Sequence, residues 1–170
     1  MISCSGFSLQ FDKSKGTFTK MEADGNNILR DNGGPMLHLW RAPHQKDDIW
    51  AYNDWVKYGL KSINWVVDKV SSQRLSTNEA EINVSLTGTG KEGFIVHHEV
   101  IYTINSNGLI DVLNHVNFSN TRIVLARVGV RMLLSKALNK FDYLGRGPME
   151  NYADRKQGSD VGHYASSVSQ

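Results

Sequence analysis

Cysteine is almost missing from this chain. Cys4 stands alone among 170 residues, which excludes an internal disulfide framework, and no Cys or His partner sits near it at metal-site spacing, so structural zinc and thiol redox chemistry have no basis. No apolar run approaches the roughly 20 residues needed to span a bilayer, and the N-terminus lacks the basic-then-apolar layout of a signal peptide. An excess of one charge is missing too. Nineteen Lys and Arg stand against 17 Asp and Glu, a formal net charge of +2. The basic residues are scattered singly, so neither nucleic-acid binding nor a membrane-surface helix has electrostatic support. Sustained helical periodicity, internal repeats and low-complexity segments are also absent; only Tyr52 to Gly59 reads as a short helix.

What remains is alternation. The length is that of one domain, residues 1–170, and a hydrophobic content of 40% is ample for a core. Phe7, Leu9 and Phe11 alternate with polar residues up to Lys13-Ser14-Lys15-Gly16, after which Phe18 and Met21 resume, which predicts a hairpin. Asp24-Gly25-Asn26-Asn27 and Asp31-Asn32-Gly33-Gly34-Pro35 read as turns, the second leading into a strand from Met36 to Trp40. Longer strands are expected over Ile63 to Val70, Ala80 to Leu86, Phe94 to Ile104 and Leu109 to Phe118, with Ser106-Asn107-Gly108 turning between the last two. Alternation of Val124, Ala126, Val128, Val130 and Met132 predicts a final long strand. These signals point to an all-β fold, an antiparallel β-sandwich.

On that last strand Arg127 and Arg131 share a face. They can grip a carboxylate or hydroxyls if the face lines a cleft, or lie solvated or salt-bridged on an outer surface. His97 and His98 are adjacent and face opposite sides of their strand, which keeps both from ligating one metal.

Two motifs carry chemistry. Trp40-Arg41-Ala42-Pro43 is followed by His44, Gln45, Lys46, Asp47, Asp48, Ile49 and Trp50; a hundred residues later comes Tyr143-Leu144-Gly145-Arg146-Gly147-Pro148-Met149-Glu150-Asn151-Tyr152-Ala153-Asp154-Arg155. Two glycines and a proline make the second a shaped loop after a strand-like run. Hydrolytic chemistry on carboxylates takes two of them held close together, one as acid and one as nucleophile or base. The loop carboxylates are Asp47, Asp48, Glu150 and Asp154; each can equally serve solubility, cap a turn or pair with Arg146 and Arg155. Trp50 and Trp55 can stack on a flat ligand face or bury against the sheet to anchor a long loop. Arg146, Glu150, Asp154 and Arg155 can ion-pair to shape the turn, with Asn151 bonding its backbone.

These two motifs, in this order and at this separation, resemble the R-A-P-x-D-N-D and G-R-G-P-x-E-N-Y-x-D-R signatures of the last large domain of bacterial β-galactosidases in glycoside hydrolase family 2. The resemblance covers about Phe7 to the C-terminus. It implies a β-supersandwich of the galactose-mutarotase-like kind, incomplete on its C-terminal side, in a fragment of a multi-domain enzyme. It places both catalytic glutamates on a separate (β/α)₈ barrel, so this segment carries no catalytic residue. It implies no cofactor here, the Mg or Na of the family being held mainly by the barrel. It places Arg41, His44, Gln45, Asp47 and Asp48 beside the substrate, and Trp50 joins that loop as a ring able to stack on a sugar; for Arg146, Glu150, Asn151, Tyr152, Asp154 and Arg155 the residues themselves favour a structural part over ligand contact. The expected partners are the other domains of the parent enzyme, a β-galactoside, and a further copy of the chain where missing strands leave sheet edges uncovered. A free-standing carbohydrate-binding module and a structural or oligomerisation domain remain the alternatives.

Overall fold

The computed structural model describes residues 1–4, 6–44, 46, 48–119, 122–149, 151–152 and 156–168. The chain divides into two compact units, Met1–Leu133 and Leu134–Gln170.

The first unit is built on two antiparallel sheets. One has β1 (Ile2–Cys4), β2 (Phe7–Asp12), β3 (Thr17–Ala23) and β4 (Asn26–Asn27) in sequence order. After β5 (Met36–His38) and the helix α1 (Ile49–Lys57) come the long strands of the other sheet: β6 (Asn64–Arg74), β7 (Glu79–Thr89), β8 (Ile95–Asn105) and β9 (Ile110–Phe118), again in sequence order. Period-2 alternation points Ile82, Val84 and Leu86 of β7 and Val100, Tyr102 and Ile104 of β8 to one face, where they bury against Leu9, Phe18 and Leu29. This is the sandwich that the alternation predicts. Phe18 sits edge-on to Phe11 at 5.2 Å and to Tyr102 at 5.0 Å between centroids, the geometry the ring quadrupoles favour. Burial pushes the Tyr102 phenol up to about 12.

A second core lies beside the first, with Leu37, Leu39, Ala51, Trp55, Leu60, Phe94, Val96 and Ala126 buried together. The helix that feeds it runs over Ile49–Lys57 rather than from Tyr52 to Gly59. It ends because Gly59, at φ 70°, takes a left-handed conformation open to glycine, and its N–H returns to Val56 O at 3.1 Å.

The long strand expected over residues 124–133 is corrected: only β10 (Gly129–Arg131) forms, pairing with β5 through Gly129 to His38, Val130 to Leu37 and Arg131 to Met36. Upstream, the backbone bonds with side chains in place of a strand. Val124 O accepts from Trp55 Nε1 at 2.7 Å and Ala126 O from Arg41 Nε at 3.0 Å. Downstream, Leu133 exchanges backbone bonds with Arg30 and Gly33.

The second unit is an antiparallel hairpin of β11 (Lys140–Gly147) and β12 (Asp160–Ser167), registered from Lys140 opposite Ser167 to Gly147 opposite Asp160. Tyr143 to Gly147, expected in a loop, therefore lie on a strand; the turn begins at Pro148.

Candidate functional site

Arg41 and Asp48 close the base of the loop that joins β5 to α1. The guanidinium meets the carboxylate bidentately, Nη1 to Oδ2 at 2.5 Å and Nη2 to Oδ1 at 2.7 Å. This is the planar fork geometry that makes arginine the preferred partner of a carboxylate. Asp48 also accepts from the His44 N–H at 2.6 Å. It stands at the N-cap of α1, yet its side chain makes no cap bond to the helix; it has turned back to Arg41 and His44 instead of serving the usual N-cap acceptor role. The hydrogen bonds from Arg41, opposed by desolvation and helped by the His44 N–H, hold the Asp48 carboxyl below its ordinary value.

Aromatic rings support this base. The Trp55 ring, 2% exposed, lies beneath Arg41 with 5.2 Å from centroid to Cζ, within cation–π range. Trp40 and Tyr52 contact Trp55 at 6.2 and 6.3 Å. Trp55 is therefore the anchor, and stacking on a ligand is closed to it. Trp50, by contrast, is 68% exposed; His44 is exposed as well. The predicted set thus divides. Arg41 and Asp48 occupy each other, His44 and Trp50 face solvent, and Gln45 and Asp47 lie outside the described residues. Val124 and Ala126, which supply the back wall, went unseen in the sequence because a carbonyl acceptor leaves no mark on residue identity.

In the second motif Arg146 donates through Nη1 to Lys156 O at 2.9 Å and Ser159 O at 2.7 Å. Its described bonds go to backbone carbonyls, a side-chain strap across the hairpin end; the ion pairs expected with Glu150, Asp154 and Arg155 fall outside the described residues. Asn151 donates to Ser159 Oγ, and Tyr152 is exposed. Glu150, Asp154 and Arg155 lie outside the described residues. Gly147 is fixed sterically, because a Cβ there would meet Tyr143 Oη at 2.4 Å and the Tyr164 ring at 2.9 Å. Among the described residues no group of three or more His, Cys, Asp or Glu could hold a metal ion, and no helix is long and apolar enough to cross a membrane.

Comparison with known proteins bears on both motifs. A β-galactosidase of Actinobacillus pleuropneumoniae is 28% identical over 96% of this chain and 16% of its own length. One from Pseudoalteromonas haloplanktis is 35% identical over 96% of this chain and 17% of its own. The Kluyveromyces lactis enzyme is 25% identical over 97% of this chain and 16% of its own. The chain thus spans about one sixth of the length of the curated relatives it matches. The family described as beta galactosidase small chain matches residues 3–170, and this chain belongs to it.

Proposed function

We propose that this chain is an accessory, carbohydrate-contacting domain of a β-galactosidase that hydrolyses terminal β-galactosides, with the acid and nucleophile carboxylates on another domain of the same enzyme. The observation that carries the reading is coverage: almost the whole chain aligns, but with only 16% of relatives named β-galactosidase, which leaves most of those proteins to hold the reaction centre. The loop geometry supports it locally. A bidentate Arg41–Asp48 clamp over the Trp55 ring gives a rigid base, and rigid bases with exposed aromatic tips are how loops on β scaffolds present contacts. Trp50 and His44 are the residues set to touch a galactoside or a neighbouring domain. The partners in this reading are the other domains of the parent enzyme and its substrate, with a second copy of the chain as a further one. Any Mg or Na belongs to the barrel.

The test has two parts. Purified residues 1–170 are assayed with a chromogenic β-galactoside, and no turnover is expected; turnover abolished by Glu150→Gln or Asp154→Asn would overturn the reading. In the full-length parent, Trp50→Ala is expected to lower kcat/KM about tenfold, ~1.4 kcal/mol of transition-state stabilisation, with unchanged melting. Wild-type kinetics in that variant would remove Trp50 from the site.

A further inference from the structure

A cleft of about 220 Å³ opens beside the β5–β10 ribbon, away from the Arg41 clamp, with Leu37, Leu39, Ile63 and the Trp65 indole among its walls and His38, Lys61 and Arg131 among its polar lining. Three observations set it apart from an ordinary solvated surface. His38 Nδ1 is buried with no hydrogen-bond partner, a state that costs free energy unless something fills it. The groups around it are cationic. Arg131 and Lys61 border the cleft, Arg127 and Arg131 both act on the His38 imidazole, and no carboxylate is among the lining residues. Neither arginine has a hydrogen bond or ion pair among the described residues, whereas Arg41, Arg30 and Arg146 are all engaged.

Local sequence builds this arrangement. Gly129 pairs with His38 across the ribbon, and a Cβ on it would meet Arg127 Nε at 2.9 Å. The missing side chain is what lets the Arg127 guanidinium lie over β10 beside His38. Burial, reinforced by Arg131 and then Arg127, holds the His38 imidazole below its ordinary value, so the ring is neutral at pH 7 and retains both a donor and an acceptor nitrogen. Lys61 Nζ sits 5.8 Å from the Trp40 ring centroid, a contact that leaves its three donors free to turn outward.

The Arg131 guanidinium fork, the Lys61 ammonium and an orphaned imidazole nitrogen form a donor set for an oxyanion. The volume falls below the roughly 300 Å³ at which drug-sized pockets begin, which suits one ring with its acid group. The indole and aliphatic wall suits the C–H face of a sugar. We propose that this cleft binds a small acidic sugar, a sugar acid or sugar phosphate, with its oxyanion on Arg131, Lys61 and His38 and its ring toward Trp65. This site is separate from the Trp50 loop and stands or falls independently of the galactosidase reading.

Heteronuclear NMR titration of the 170-residue chain tests it, with galacturonate, galactose 6-phosphate, inorganic phosphate and galactose as probes. Both sugar acids are expected to shift the His38 imidazole and Trp65 indole resonances saturably, with Kd of about 1 mM, and galactose to leave them in place. Arg131→Gln with Lys61→Gln should weaken the acids at least about tenfold. Both side chains are exposed, so melting should be unchanged, which serves as the folding control. The proposal is overturned by galactose shifting the same resonances as strongly, by inorganic phosphate binding as tightly as galactose 6-phosphate, or by the double variant keeping its affinity for the acids.

Discussion

Two arginines, one in each motif, are held in opposite ways. Arg41 lies over a buried indole, grips a carboxylate with both nitrogens and bonds a carbonyl of a distant segment. Arg146 crosses the end of a two-stranded hairpin and, among the described residues, bonds backbone carbonyls near its own strands. Their surroundings differ in the same sense. Around Arg41 the rings of Trp55, Trp40 and Tyr52 pack on one another and on a buried core. On the hairpin Phe141, Leu144 and Val161 are exposed, Leu144 at 77%. A motif in a sequence thus says nothing about how much stability stands behind it; that comes from apolar area removed from water. A two-stranded ribbon has little of it, and such ribbons are marginal by themselves.

The most severe break of that contrast is Trp55→Ala. It removes the ring under Arg41 together with the bond to Val124 O, and the expected loss is about 3 to 5 kcal/mol, read by denaturant unfolding. A loss under 1 kcal/mol would show that the second core is not the clamp's foundation. Next is Arg41→Ala, which strands the Asp48 carboxylate near the core edge and should lower the melting temperature by on the order of 5 °C. In a double-mutant cycle with Asp48→Asn the two changes should be strongly non-additive. Arg146→Ala, on the exposed hairpin, should cost about 1 kcal/mol or less, and amide exchange should be faster along β11 and β12 than along β7 and β8. An effect of Arg146→Ala equal to that of Arg41→Ala would erase the distinction.

Acid gives a finer test. His98 is buried beside Trp65, with Nε2 2.8 Å from Asn114 Oδ1, and desolvation holds its imidazole below the ordinary value despite that bond. The unfolded chain therefore takes up a proton first. Stability is complete above about pH 6.5 and falls as the pH drops from there toward the folded value. His38, lowered in the same direction, acts in the same window, and Asp48 adds a loss at more acid pH, below the ordinary carboxylate value. His98→Gln should flatten the upper part of the profile and leave the acid limb, as followed by thermal melts at stepped pH.

Legibility in the sequence followed side-chain period. Strands β6 to β9 were readable because alternation of apolar and polar residues is the signature of a sheet with one buried face, and only their ends moved. The same alternation misled at Val124 to Met132, where the backbone was already committed to Trp55 and Arg41. The hairpin partner β12 left little pattern in Val161, Gly162, His163 and Tyr164. Arg41 and Asp48 were both visible as loop residues, but their pairing was not. The seven positions between them cross a loop that is neither helix nor strand, so no periodicity in the sequence places the two side chains together. For the cleft, the period-2 argument that set Arg127 and Arg131 on one face rested on a strand that begins only at Gly129, and His38, Lys61 and Trp65 come together only through tertiary packing.

The turned-back side chain of Asp48 has a consequence for how this region can vary. Because the start of α1 is tied to Arg41 and the His44 backbone by the Asp48 carboxylate, the register of helix and ribbon is set at the base of the loop rather than at its tip. Changes of composition or length at its tip are absorbed there. The loop is in effect an exchangeable cassette on a fixed mount, a place where contact specificity can be rewritten without refolding the domain.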